Sequence, residues 1–143
     1  MQPLSPVPIQ GPISMLEKMP ALLELLLRDV PGEALEWKPA AERWSIAEVL
    51  GHLVMIEKLY GQRARRIVLE TSPTLPKYDA GSEENAAKKS GRHAELGVIT
   101  LSEMLHELAN HDLGHLRQIA ELYRAYSFYP HAGPYQKYSN LKP

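Results

Sequence analysis

His111 and His115 stand four residues apart in the run His111-Asp112-Leu113-Gly114-His115. On an α-helix that spacing separates two side chains by about 40° around the axis and roughly 6 Å along it, so both imidazoles can face one ion. Neutral imidazole suits zinc, nickel, copper or iron(II). A pair is half a site. The third donor is expected from His52, which follows Val49 by three residues and precedes Ile56 by four, and so borders the buried face of a second helix. His52, His111 and His115 together would leave a coordination position open for water or substrate. A cation held there would lower the pKa of a bound water toward about 7, or hold a substrate thiolate or carbonyl. The competing explanation is a cluster of packed imidazoles satisfied by backbone and side-chain partners, with no metal.

Three carboxylates lie near enough in sequence to orient an imidazole N–H or take a proton: Glu48, one turn before His52; Glu107, one turn before His111; and Asp112. His-Asp-x-x-His is close to the His-Glu-x-x-His helix of zinc proteases. However, Asp112 is one methylene shorter than the glutamate base used there, and no downstream ligand is evident. His93, beside Gly91 in a connector, and His106, off the core rows of its helix, are expected at the surface. No Gly-rich phosphate loop, Gly-x-Ser-x-Gly elbow or paired-carboxylate spacing is present.

The elements that must position these residues follow from periodicity. Residues 1–12 hold Pro3, Pro6, Pro8 and Pro12 and predict an extended arm. Leu16, Met19, Leu23, Leu26 and Val30 recur every three or four residues, an amphipathic helix that Pro31-Gly32 ends and that Pro20 should bend. Residues 31–43 form a connector anchored by Trp37. Ser45 and Glu48 make a capping box, with Trp44 placed to staple onto the first turn near Val49. The stripe Ile46, Val49, Leu53, Ile56, Tyr60, Ala64 and Ile67 then runs for about six turns. Arg63, Arg65 and Arg66 near its end complement the helix dipole as a solvated cluster.

Residues 71–99, with Pro73, Pro76, Gly81, Gly91 and Gly97, read as an irregular connector with at most one short helix around Glu83 to Lys89. A second capping box, Thr100 to Glu103, opens the last long helix. On it Leu101, Leu108, His115 and Leu122 form one row, and Met104, His111 and Gln118 the next, so both histidines fall on core rows. Gly114 removes a side chain where another helix or a ligand could approach. Residues 127–143 make a non-helical aromatic and proline-rich tail, with Phe128, Tyr129, Tyr135 and Tyr138 expected to lie across the bundle.

Composition bounds the function. The 143 residues suit one helical domain with a single core. Sixteen Lys and Arg against 17 Asp and Glu leave no electrostatic footprint for nucleic acid or an anionic membrane surface. The absence of cysteine excludes disulfides, thiolate ligands and a cysteine nucleophile, and points to a reducing compartment. With neither an N-terminal signal pattern nor a run approaching the ~20 apolar residues of a membrane span, a cytoplasmic protein is expected.

As a set, Trp44-Ser45-Ile46-Ala47-Glu48-Val49-Leu50-Gly51-His52-Leu53, Gly97-Val98-Ile99-Thr100-Leu101 and His111-Asp112-Leu113-Gly114-His115-Leu116-Arg117-Gln118-Ile119 resemble the DinB-like superfamily. The resemblance runs from the first helix through Tyr126. It implies an all-α, up-and-down four-helix bundle in which His52, His111 and His115 hold a divalent metal, zinc or nickel first, with iron or manganese as alternatives. Characterised relatives include thiol-dependent transferases and isomerases using mycothiol, bacillithiol or glutathione; many others have no assigned activity.

The family normally places a full third helix where residues 71–99 offer only a short polar stretch. Three long helices per chain would leave apolar stripes uncovered, which predicts a homodimer that completes the bundle. The expected activity is therefore a metal-dependent transferase or hydrolase acting on a small-molecule or thiol substrate. The alternative is a non-enzymatic binding or stress-response module whose metal site is structural or vestigial.

Overall fold

The computed structural model describes residues 8–71, 74, 90–93 and 95–139. Its long elements are helices: α1 (Gln10–Leu27), α3 (Ile46–Leu69) and α4 (Leu101–Ser127), with a short α2 (Gly32–Glu36) between the first two. Strands β1 (Ser90–His93) and β2 (Gly97–Thr100) form an antiparallel hairpin, and two short 3-10 helices, Tyr129–His131 and Gly133–Tyr138, follow α4.

Both capping boxes form. The Ser45 backbone N–H donates to Glu48 Oε2 at 2.7 Å while Glu48 N–H donates to Ser45 Oγ at 3.2 Å, which satisfies two of the donors a helix start leaves without partners. Thr100 N–H and Glu103 Oε2 repeat the arrangement at 2.7 Å, with Glu103 N–H returning to Thr100 Oγ1 at 3.1 Å. α1 starts at Gln10, so the last three residues of the expected arm are helical; Pro12 lies in the first turn, where its missing N–H has no intrahelical partner to lose. The helix runs through Pro20 and ends at Leu27, short of Val30.

The described residues divide into two compact units. One draws on Met1–Glu17 and Met55–His111. There Ile67, Leu101 and Met104 are buried, with Tyr60, Ala64, Ile99 and Leu105 packed around them. The Arg63 guanidinium lies over the Tyr60 ring, 5.6 Å from its centroid, so this member of the arginine cluster is half-buried rather than solvated.

The hairpin in this unit departs from the irregular connector expected over 71–99. Its four-residue strands carry no apolar alternation long enough to announce themselves, and its turn depends on Gly97 at φ 76°, a conformation that favours glycine. His93 serves that turn: its Nδ1 accepts from the backbone N–H groups of Glu95 and Leu96 at 3.1 and 3.2 Å. His106 is half-buried, not exposed as expected, because its Nδ1 bonds the Ser102 carbonyl one turn back at 2.8 Å. The short helix expected at Glu83–Lys89 lies outside the described residues.

The other unit draws on Lys18–Val54 and Asp112–Pro143. Ile46, Val49, Leu53, Ile119 and Leu122 form its buried cluster, flanked by Leu23, Leu26, Trp37 and Tyr123. Each fully buried aliphatic side chain of this kind contributes about 1.5–3 kcal/mol. Within the expected connector 31–43, α2 buries Ala34, and Trp37 meets Tyr126 with ring centroids 5.6 Å apart.

The tail differs from expectation. Phe128 packs edge-on against Tyr123 at 5.2 Å, and Gln136 Nε2 donates to the Tyr129 carbonyl at 2.9 Å. Tyr135 and Tyr138, however, remain 73% and 72% exposed. The 3-10 turns satisfy the tail's backbone locally and leave these two rings facing solvent. No helix among the described residues is long and apolar enough to cross a membrane.

Candidate metal centre

α3 presents His52 in its second turn, one residue before buried Leu53, and α4 presents His111 and His115 on successive turns of one face. The nearest ring nitrogens of these three residues all lie within 4.8 Å of one another, and all three side chains are half-buried. The core rows therefore carry the histidines to the edge of the packed interior rather than into it. His52 and His115 approach edge to face, with centroids 4.8 Å apart and planes at 67°.

The donor set fits a divalent ion. Metal–imidazole bonds of about 2.1 Å in a tetrahedral arrangement want nitrogens about 3.4 Å apart, so the rings need draw in by no more than about 1.4 Å, which side-chain torsions supply. His115 Nδ1 is 2.8 Å from Gln118 Oε1. With the amide oxygen accepting, the proton sits on Nδ1 and the lone pair on Nε2, the form a ligating imidazole takes.

Gln118 is a positioning residue that the sequence reading passed over. Its place three residues after His115 was the available signal. Two of the three carboxylates proposed from sequence spacing are used elsewhere. Glu48 is held by the Ser45 cap and by Lys38, whose Nζ donates to Glu48 Oε1 at 3.2 Å; the Ser45 backbone N–H and then the Lys38 ammonium keep its carboxyl below the usual carboxylate range. Glu107 is exposed and accepts from Asn110 Nδ2 at 3.4 Å. Asp112 is half-buried.

Trp44 also meets the imidazoles. The residue is 41% exposed, and its ring stacks on His115 at 6.3 Å and 19° and meets His52 at 4.9 Å. The indole thus covers one side of the imidazoles. Beside it opens a cavity of about 420 Å³, lined by Arg43, Trp44, Gly114, Arg117, Gln118 and neighbouring residues. No atom outside the local helix lies within 4 Å of where a Cβ on Gly114 would point, so the missing side chain serves open space rather than the close approach of a helix.

A mostly helical fold with three imidazoles gathered from two helices defines the class: the chain belongs to the DinB superfamily, whose model matches residues 15–95, more than half its length. That span includes His52 and stops before His111 and His115. Among solved structures, YfiT from Bacillus subtilis, reported as a probable metal-dependent hydrolase with an unusual four-helix bundle topology, is similar over 87% of this chain and 91% of that one, with a TM-score of 0.70 and 18% identity. The likeness shows the fold, a mostly helical DinB-like bundle as expected from the sequence, with the β1–β2 hairpin added. No curated protein matches the chain.

Proposed function

We propose that this DinB-superfamily protein binds a divalent metal through His52, His111 and His115 and acts as a metal-dependent transferase or hydrolase. The carrying observation is the convergence of three imidazole nitrogens within 4.8 Å. The description of YfiT as a probable metal-dependent hydrolase supports the same class. When bound, the ion supplies Lewis acidity that favours the ionised form of a water or thiol.

The chain's own residues orient and shield. Gln118 fixes the His115 ring, and Trp44 keeps water from one side of the imidazoles. Glu48 and Glu107, two of the three candidate bases, are engaged elsewhere, which favours a thiol nucleophile: a thiol ionises near pH 8.5 and needs less help from a base than water does. The same engagement supports the second reading, a binding module with a structural metal. We also propose a homodimer, with exposed Leu25 and Val54 among the apolar side chains a second copy would cover; a stable monomer by light scattering at micromolar concentration would overturn it.

The principal test is elemental analysis of protein purified without added metal, beside a His111→Ala/His115→Ala variant. Stoichiometric metal in the first and its loss in the second are expected; equal content in both would sink the assignment. Adding 2-mercaptoethanol to cobalt-loaded protein then separates the two readings. A thiolate-to-cobalt charge-transfer band is expected for the enzyme, and its absence would favour the structural site.

A further inference from the structure

The cavity beside Trp44 carries an unbalanced charge. Arg43 and Arg117 both line it, and neither guanidinium has a hydrogen-bond or ion-pair partner among the described residues. Glu121, its one acidic lining residue, is already paired: Arg124 Nη2 donates to Glu121 Oε2 at 2.7 Å. Two uncompensated cations therefore border a concave space of about 420 Å³, within the size range of small-molecule pockets.

The cavity also has a fixed relation to the imidazoles. Gln118 and Leu122, both in its lining, continue the row of His111 and His115 along α4. On α4 the lining runs from Gly114 to Leu122, so the cavity starts level with His115 and extends roughly 10 Å beyond it along the helix. Gln118 bonds His115 on one side and faces the cavity on the other, and the Trp44 ring forms a wall common to both.

We propose that this cavity is an anion subsite, in which Arg43 and Arg117 hold the carboxylate of a small molecule whose apolar body lies along Trp44. Planar guanidinium groups match carboxylate oxygens two to two, and an apolar body completes its burial against the indole. The subsite deepens the proposed function, since it sets the substrate class as an anionic small molecule with its reacting group within about two helical turns of its carboxylate. It rests on that reading only for the placement of the reacting group.

The test is an NMR titration of the labelled protein with succinate and, separately, with neutral succinamide, following the Trp44 indole N–H and the Gly114 amide. Succinate should give saturable shifts at both and succinamide none. Arg43→Gln/Arg117→Gln, at two exposed positions, should weaken the succinate response about tenfold or more through loss of the charge-assisted bonds. Equal response to succinamide, or an undiminished response in the double variant, would overturn the subsite. The titration is repeated on His111→Ala. Succinate binding that persists there while no metal is found in the parent protein leaves the subsite standing and removes the metal reading. Finally, 6-mercaptohexanoate should develop the cobalt charge-transfer band at a concentration well below that needed for 6-mercaptohexanol; equal concentrations would detach the subsite from the metal centre.

Discussion

Trp44 lies nearly parallel to His115, with planes 19° apart and centroids 6.3 Å apart, and so places a fluorophore against a metal-ligand candidate. Nickel(II) added to the metal-free protein should quench tryptophan emission. Trp44→Phe should abolish most of that response, because the remaining Trp37 packs on Tyr126 instead. Quenching that survives in Trp44→Phe would place the ion elsewhere.

Gln118 acts on the metal site through His115. Gln118→Ala should weaken metal binding about 10–100-fold, the usual cost of losing a partner that orients a ligand. Gln118→Glu, which keeps an acceptor at that place, should recover most of the affinity. Competition titration against a chelating dye gives both numbers, and equal weakening in the two variants would show that the Nδ1 contact is not what matters.

The Ser45 cap should be visible in stability. Ser45→Ala removes a buried cap and should cost about 1 kcal/mol in a denaturant titration. Its partner Glu48 has a carboxyl held below the usual range, so its contribution is present above the ordinary carboxylate pKa and is lost as pH falls through the depressed one. The difference in melting temperature between the parent and Glu48→Gln should therefore be fully developed at pH 7 and vanish in acid. A difference that persists at pH 2 would contradict the assignment.

Gly114 separates helix stability from ligand access. Gly114→Ala meets no atom within 4 Å and should stabilise the protein by about 1 kcal/mol through helix propensity. Gly114→Phe should retain metal and lose succinate binding by filling the cavity. Parallel loss of both would mean that the substitution disturbs α4 itself.

The features legible in the sequence were those set by local spacing. Ser45–Glu48 and Thr100–Glu103 declare their caps because both partners lie within one turn, and the stripe from Ile46 to Ile67 declares the buried face of α3. His111 and His115 are related by helix geometry alone; His52 required only a guess that it borders the core. The misses involve tertiary choices. That Trp44 meets the imidazoles depends on how α3 and α4 pack, which local spacing does not express. Glu48 could orient His52 or complete a cap, and the cap won because Ser45 lies closer in sequence and Lys38 adds a second contact. The hairpin escaped because Ser90-Gly91-Arg92-His93 has no strand pattern of its own and is held by pairing with Gly97–Thr100.

Thr100 ends β2 and, through its bonds with Glu103, also starts α4. The hairpin is thus an index mark for the helix that follows: it fixes the residue at which α4 begins. One residue inserted between His111 and His115 would turn the second imidazole by about 100° relative to the first, splitting the pair while leaving every ligand residue in the chain. Variation in length within this stretch should therefore be more damaging to the site than variation in composition.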